Sequence, residues 1–135
     1  MEPVLRKQDL DGNVETILLT LLSEQPNYGY GIVKTLNDRA EGMLELGEGT
    51  IYPVLHRLEE KELIAAEWGT SPDSGRKRKY YHVTSKGLMV LGENRSYWAK
   101  LVQVMHRIGV SGEVAEGDKS QQLDMVGLLI LGGQV

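Results

Sequence analysis

Apolar residues recur at helical spacing in four parts of the chain, and the clearest series comes first: Val14, Ile17, Leu18, Leu21 and Leu22. These positions follow the i, i+3, i+4, i+7, i+8 rule, which predicts a helix with one face in a core. Asn13 is placed to cap this helix, and Glu15 lies in its first turn, where a negative charge is favourable. Pro26 has no backbone N–H to donate, so it is expected to end the helix.

A second helix is predicted over residues 28–40, with these residues facing inward: Ile32, Val33, Leu36 and Ala40. Gly29 and Gly31 fall in its first turn, where each costs roughly 1 kcal/mol relative to Ala. Such a cost indicates a close approach, either by a neighbouring helix or by a phosphate at the helix N-terminus. Of the two explanations we favour the neighbouring helix.

A third helix, predicted over residues 47–63, has two contrasting faces. Its apolar stripe consists of Ile51, Leu55 and Leu58, with Val54 at the edge. Its outer side consists of Pro53, His56, Arg57 and Glu60, with Tyr52 on the flank. Either Gly47 or Thr50 caps the helix. With Gly47 as the cap, Pro53 lies past the first turn and removes one hydrogen bond, whereas with Thr50 as the cap the proline is harmless.

A β-hairpin is predicted next. Residues 63–68 have the composition of a strand, residues 69–75 are a dense cluster of turn residues, and residues 79–83 form the returning strand. Four consecutive cations, Arg76, Lys77, Arg78 and Lys79, therefore lie at the tip and on the returning arm. Since alternate strand residues face opposite sides, two of the four can reach one partner.

A long fourth helix is predicted from a cap at Thr84 or Ser85 to about Ile108. Its apolar series is Trp98, Leu101, Val102, Met105 and Ile108, preceded by Leu88 and Leu91. Gly87 and Gly92 weaken its first half. The rest of the chain offers nothing to bury the far end of this stripe. A twofold-related copy of the chain would supply the missing surface.

These elements divide the chain into three regions. Residues 1–84 form the first domain, opening on a helical turn or arm before the first long helix. Residues 85–109 form the long last helix. Residues 110–135 have the composition of a linker followed by an apolar tail over residues 123–131, either a short docking helix or an unstructured segment. That tail is shorter than the roughly 20 residues that a bilayer span requires.

Composition narrows the classes of function. The 135 residues include no cysteine, which excludes disulfides, thiolate metal sites and cysteine nucleophiles. The N-terminus has no apolar segment of signal-peptide length, and no run is long enough to cross a membrane. A cytoplasmic protein is therefore the default expectation.

The net charge of the chain disfavours a nucleic-acid partner, whereas the local distribution of charge favours one. The formal net charge is −4. Residues 50–86, however, carry 7 Lys and Arg against 5 Asp and Glu, while residues 1–49 carry 4 against 9. DNA responds to a local positive patch more than to the overall charge. The positive excess coincides with the third helix and the hairpin.

A helix with a polar outer face, followed by a basic hairpin, is typical of a winged helix-turn-helix, in which the helix enters the major groove and the hairpin contacts the backbone. The expected fold class is mostly α with a small β-hairpin, plus a long C-terminal dimerisation helix. Hydroxyls such as those of Thr50 and Tyr52 suit phosphate contacts, and Arg57 suits a guanine edge. Alternatively, Arg57 pairs with Glu60 or the acidic neighbours of Lys61 at the surface.

The chain also resembles the PadR family of bacterial transcriptional regulators over roughly residues 5–108. The resemblance is carried in order and spacing by Gly29-Tyr30, by Gly49-Thr50-Ile51-Tyr52-Pro53 with His56-Arg57-Leu58-Glu59, by Leu63-Ile64 with Trp68, and by Gly75 to Tyr81 leading to Thr84 and Gly87. Residue chemistry and resemblance together give ten candidate DNA-binding residues: Tyr30, Thr50, Tyr52, Pro53, His56, Arg57, Arg76, Lys77, Arg78 and Lys79.

The resemblance implies a homodimer that binds a palindromic operator as a repressor and pairs through its last helix. The candidate interface residues are Leu91, Trp98, Leu101, Val102, Met105 and Ile108. The single last helix resembles that of the smaller subfamily, some of whose members sense planar, lipophilic cations through a tryptophan at the dimer centre. Trp98 falls at that position, so Trp98 and Leu101 are candidate ligand-binding residues. Gly47 departs from the serine usual at the cap, and the apolar tail has no counterpart in the family.

No catalytic, metal or cofactor site is expected. His56, His82 and His106 have no metal-ligand spacing, and the chain shows neither a nucleophile with its base nor a phosphate loop. A different class stays open, namely a winged-helix protein-interaction module without a DNA target. Salt-dependent binding to duplex DNA discriminates between the two. Repression and activation cannot be separated by sequence, because they depend on where the operator lies.

Overall fold

A computed structural model describes residues 4–10 and 12–110 of the chain, and within these ranges it contains five helices and three strands. In chain order they are α1 Lys7–Leu10, α2 Asn13–Glu24, β1 Asn27–Tyr28, α3 Gly29–Ala40, α4 Glu48–Glu60, β2 Ile64–Thr70, β3 Lys77–Val83 and α5 Ser85–Ile108. The expected class, mostly α with a small β component, is confirmed. No helix in the described ranges combines the length and the apolarity that crossing a bilayer requires.

Helix α2 buries a different set of residues from the one that its periodicity predicts, since Ile17 and Leu21 are only half-buried. Val14, Leu18 and Leu22 are buried as expected, and Leu19 is fully buried as well. Leu19 lies off the predicted stripe and is covered because α2 packs against α3, α4 and β3. The prediction that Asn13 caps α2 is wrong. The cap is Gly12, at φ 86°, and Asn13 is the first helical residue, whose Nδ2 donates to the Leu10 carbonyl at 2.7 Å.

A third strand extends the predicted hairpin into a sheet of order β1-β3-β2. Tyr28, which the pattern assigns to a helix, lies in β1 and precedes α3 in an extended conformation, φ −93° and ψ 165°. Both β1 and β2 run antiparallel to β3. Tyr28 of β1 lies opposite Tyr80 of β3, and Trp68 of β2 lies opposite Lys79 of β3. A strand of two residues is too short for hydrophobic periodicity to detect.

Helix α4 begins after Gly47, which settles the choice between the two predicted caps. The N–H groups of Thr50 and Ile51 donate to the Gly47 carbonyl at 3.1 and 3.0 Å. Pro53 therefore lies in the helix interior, where it has no N–H to donate to the carbonyl of Gly49. Val54, expected at the edge of the apolar stripe, is only 1% exposed.

The core lies between α2, α3, α4 and the sheet. Its fully buried side chains come from five elements: Leu18, Leu19, Ile32, Ile51, Val54, Leu55, Leu58, Ile64 and Leu91. Leu91 belongs to this core, with 1% of its surface exposed. Its predicted place in the dimer interface is therefore wrong, because a side chain enclosed by its own chain has no surface to offer a second copy.

Helix α5 is capped by Thr84. The Thr84 Oγ1 accepts the N–H of Gly87 at 3.0 Å and donates to the carbonyl of Glu62 at 2.7 Å, so Thr84 rather than Ser85 is the cap. Gly87 is buried, and a Cβ there would lie 2.0 Å from the Leu63 carbonyl oxygen. Close packing explains this glycine. The helix ends before Gly109, at φ 103°.

The second half of α5 carries an exposed apolar face. Trp98 and Leu101 are each 41% exposed, Met105 is 42% exposed, and Ile108 is more exposed still. Val102 is half-buried. By helical position, Tyr97 and Val104 share this face, although neither is among the interface residues that the sequence predicts. The predicted linker and apolar tail lie, from residue 111 on, outside the described residues.

Candidate nucleic-acid interface

A groove of about 330 Å³ lies between the start of α3, helix α4 and the hairpin of β2 and β3, which we call the wing (residues 64–83). Six of the predicted DNA-binding residues line it: Tyr30, Tyr52, His56, Lys77, Arg78 and Lys79. They come from three separate elements. The fold thus brings a phenol, an imidazole and several cations to one concave surface.

On the α4 side of the groove, Tyr52 and His56 are one turn apart and lie on the same face of the helix. The Tyr52 ring packs on Gly29, where a Cβ would lie 2.5 Å from the ring Cε1. The neighbouring helix, rather than a phosphate, thus explains Gly29. Partial burial, with Glu48 and Tyr81 nearby, raises the pKa of the Tyr52 phenol. The phenol remains a hydrogen-bond donor at neutral pH.

On the wing, Arg78 stacks on the aromatic ring of Tyr28. Its guanidinium carbon lies 4.3 Å from the centroid of the Tyr28 ring. Tyr28 in turn packs edge-to-face against Tyr80, with centroids 5.7 Å apart and planes at 75°. A guanidinium stacked on a ring keeps its charge while its orientation is restricted. Tyr28 was not among the predicted residues, since its role depends on strand pairing.

Lys79 faces the opposite side of β3 and ties the wing to α4. Its Nζ donates to the Glu59 Oε1 at 3.2 Å and lies 5.3 Å from the centroid of the Tyr81 ring. The hydrogen bond to Glu59 raises the pKa of Lys79. The two interactions show the alternation expected of a strand, because Arg78 contacts Tyr28 while Lys79 contacts α4. The charge of Lys79 is partly compensated within the chain.

Arg76 and Lys77 are exposed cations at the tip of the wing. Arg76 lies in the turn, where the Ser71 N–H donates to the Arg76 carbonyl at 2.8 Å and Gly75 adopts φ 71°. Lys77 is the first residue of β3 and pairs with Thr70. Both side chains are available to an anionic partner.

Arg57 lies outside the groove. Its Nε is 4.0 Å from the Glu15 Oε1, which also accepts a hydrogen bond from Lys61 Nζ at 3.2 Å. Neither of the ion-pair partners considered from the sequence is used, because Glu15 comes from α2 and lies far away along the chain. Arg57 instead lines a second concavity of about 570 Å³, together with Lys7.

Two further predicted residues lie on α4 and do not line the groove. Pro53 is exposed one turn before Arg57 on α4, and Thr50 is half-buried in the first turn of that helix. Both belong to the recognition-helix segment that the sequence pattern predicts.

Trp68 lines the groove although the sequence contributed it only as a family marker. Its side chain is 73% exposed. Strand alternation was the available signal, because Trp68 in β2 shares a face with Ala66 and Thr70 and pairs with Lys79.

Among the described residues, no group of three or more His, Asp or Glu is arranged to hold a metal ion. His56, His82 and His106 lie on α4, β3 and α5 respectively.

Comparison with known proteins gives consistent matches. The family model described as the transcriptional regulator PadR-like family matches residues 18–93. An uncharacterized protein of Lysinibacillus sphaericus is 36% identical over 102 residues, which cover 76% of this chain and 93% of that protein. The crystal structure of a PadR-like transcriptional regulator from Bacillus cereus is 34% identical, with a TM-score of 0.68, and the match covers 79% of this chain and 100% of that one. A PadR family transcription regulator from Clostridium difficile is 33% identical, with a TM-score of 0.64, over 72% of this chain and 98% of its own.

Proposed function

The chain belongs to the PadR-like family of transcriptional regulators, which bind DNA, and from this premise we propose that it is a homodimeric repressor of a palindromic operator, controlled by a small molecule. The observation that carries the proposal is the groove in which Tyr52 and His56 of α4 stand beside the cations of the wing. A reading helix beside a cationic hairpin suits a major groove and its flanking backbone.

In each subunit, the exposed face of α4 lies in the major groove of the DNA. Pro53 and His56 face the base edges, while the hydroxyls of Tyr30, Thr50 and Tyr52 suit backbone phosphates. Tyr30 is 54% exposed and lines the same groove.

Arg57 reaches a guanine edge by leaving Glu15. Both side chains of this pair are partly exposed, 51% for Arg57 and 25% for Glu15, and the atoms are 4.0 Å apart. Such a pair contributes less than about 1 kcal/mol. A bidentate contact with guanine is worth about 1–3 kcal/mol of discrimination, which exceeds the loss.

The wing binds the sugar–phosphate backbone of the DNA. Arg76 and Lys77 are exposed, and Arg78 is pre-positioned on the Tyr28 ring, so these three bind phosphates directly. Lys79 acts more weakly, because Glu59 already compensates its charge.

Two copies pair through the apolar face of α5, using Trp98, Leu101, Val102, Met105 and Ile108. In this arrangement residues 1–84 are the DNA-binding domain and residues 85–109 the dimerisation helix. The half-sites of the operator are about one helical turn apart, near 34 Å. Burial of the exposed aromatic and aliphatic surface of α5 supplies the driving force for pairing.

The effector binds where the two copies of Trp98 meet, with Leu101 beside them. Two indoles related by a twofold axis can sandwich a planar cation through stacking and cation–π contact. The cation changes operator affinity only as far as it binds one dimer state better than the other.

The DNA proposal is tested with a fluorescent duplex taken from upstream of the protein's own gene, titrated at several salt concentrations. We expect two chains per duplex and an affinity that falls linearly with log salt. The proposal would be overturned if the protein is strictly monomeric and does not bind duplex DNA in dilute buffer. A stable complex with another protein in that case would favour an interaction module.

A reporter gene behind the operator then distinguishes repression from activation. In repression, deletion of the gene for this protein raises expression of the reporter.

The effector site is tested by tryptophan fluorescence with a planar cationic dye. We expect quenching in the wild type and in Trp68→Phe, and none in Trp98→Ala, because Trp98 forms the stacking surface. Quenching that survives Trp98→Ala would place the dye elsewhere. In the wild type the same dye should change the affinity for the duplex.

A further inference from the structure

Trp68 presents an indole to solvent in the wall of a charged groove. The side chain is 73% exposed and lines the groove together with Lys77 and His56. Large aromatic side chains are normally buried for most of their surface, since they contribute more apolar area than other residues. An exposed indole beside cations is a surface suited to a partner that is both apolar and anionic.

The cation nearest to Trp68 across the sheet is already paired with a carboxylate of α4. Trp68 pairs with Lys79, whose Nζ is held by Glu59 on α4 at 3.2 Å. At this level of the wing, the group available to a partner is therefore the indole. At the next pair towards the turn that shares this face, Thr70 and Lys77, the available group is an exposed cation. The two levels are two residues apart along the strand, about 7 Å.

A DNA backbone has apolar and anionic groups in alternation, which matches the indole and the cation on the wing. Each nucleotide presents an anionic phosphate and an apolar deoxyribose side by side, and a duplex in the groove brings both to the wing. We propose that Trp68 packs its indole against a deoxyribose of the bound duplex while Lys77 binds the adjacent phosphate. This inference rests on the proposed function, since it specifies how the same groove holds DNA.

The proposed sugar contact differs from a cation–phosphate contact in its effect on the salt dependence of affinity. A sugar contact carries no net charge, so it releases no counterion and leaves the salt dependence of affinity unchanged. It also carries no sequence information, so it acts on every duplex alike. Loss of Trp68 should therefore lower affinity uniformly at all salt concentrations.

Fluorescence gives the first test. The chain has two tryptophans, so the difference in emission between the wild type and Trp68→Phe reports Trp68. We expect acrylamide to quench this difference signal strongly in the free protein and roughly half as much or less in the duplex complex, because the indole becomes covered. If Trp68 stays equally accessible to acrylamide in the saturated complex, the inference is wrong.

Affinity gives the second test, with Trp68→Thr, which keeps a strand-forming residue at this position. We expect roughly tenfold weaker binding to the upstream duplex and to a scrambled duplex of equal length, with the salt slope unchanged, because apolar contact is lost. The matched control is Met89→Ala, another exposed apolar side chain, which does not line the groove and should bind as the wild type does.

Three results of the affinity test would contradict the sugar contact. They are wild-type affinity in Trp68→Thr, a loss confined to one duplex, and a changed salt slope. Urea unfolding of Trp68→Thr establishes that any loss comes from the contact and not from the fold. If the wild type binds neither duplex, the proposed function itself fails, and that outcome is distinct from a wild type that binds with Trp68 uncovered.

Discussion

Four consecutive cations on the wing differ in what surrounds each side chain. Arg76 and Lys77 face solvent, Arg78 lies over the Tyr28 ring, and Lys79 is paired with Glu59. A cation that is already compensated gains less from a phosphate than one that is not. We therefore expect the four cations to contribute unequally to the proposed DNA contact.

Removing two of the wing cations should lower the salt dependence of binding. In Arg76→Ala with Arg78→Ala, we expect the slope of log affinity against log salt to decrease by about 1 to 2, because each phosphate contact adds about 0.9. The loss should be equal for all duplex sequences. Lys100→Ala, which removes an exposed cation from α5, is the control and should keep the wild-type slope. An unchanged slope in the double variant would refute the assignment of the wing.

Removing the partner of Lys79 should have the opposite effect. In Glu59→Gln, Lys79 loses its compensating charge, so we expect the salt slope to steepen by up to about 0.9 as one more cation reaches the backbone. Glu60→Gln is the matched control, because it removes the same charge from the next, exposed position of α4. If both variants steepen the slope equally, the cause is the net charge of α4 and not the pairing with Lys79.

At the scale of elements, the start of α5 is fixed to the segment that follows α4. Thr84 donates its hydroxyl hydrogen to the carbonyl of Glu62, and its N–H donates to the carbonyl of Leu63 at 3.0 Å. Gly87 allows the first turn of α5 to approach the Leu63 carbonyl. A substitution that disturbs this close approach should therefore lower the stability of the fold.

Two glycines of α5 should respond to alanine in opposite directions. Gly87→Ala places a Cβ 2.0 Å from the Leu63 carbonyl oxygen, and we expect it to lower the free energy of unfolding by about 1–3 kcal/mol or more through overpacking. At Gly92 an added Cβ meets nothing within 4 Å, so Gly92→Ala should raise this free energy by about 0.5–1 kcal/mol through helix propensity.

Urea unfolding at one fixed protein concentration measures both changes, since association contributes to stability. Equal effects of the two substitutions would mean that the approach of α5 to Leu63 does not occur in solution.

For the molecule as a whole, the distribution of charge matters more than its sum. The net charge is −4, yet the wing and the exposed side of α4 present cations to a partner. The acidic excess lies in residues 1–49. A local positive surface of this kind can attract an anionic duplex although the net charge of the chain is negative.

Dimerisation should depend on the apolar face of α5. In Leu101→Glu with Met105→Glu, we expect a monomer in sedimentation velocity at concentrations where the wild type is a dimer, because charges would be buried in the interface. Operator affinity should fall by roughly 100-fold as the second half-site loses its effective concentration. Gln103→Glu is the matched control, since it adds a charge to the same helix on the side opposite the apolar face. A double variant that remains dimeric would place the interface elsewhere.

Local pattern by itself determined which elements form. Helices α2, α4 and α5 and the hairpin were predicted because helical period, strand composition and turn residues are properties of neighbouring residues. The cluster of cations on the wing and the outer face of α4 followed from the same local information. Errors in the bounds of the elements fell where local signals are weak, at the cap of α2 and at the two-residue strand β1.

Only the tertiary structure decided which side chains meet. It paired Arg57 with Glu15 and Lys79 with Glu59, stacked Arg78 on Tyr28, and enclosed Leu91 in the core. It also made Trp68 part of the groove. The physical reason is common to all of these contacts. They join residues from different elements, and their geometry depends on how helices and strands pack, which no periodicity along a single element encodes.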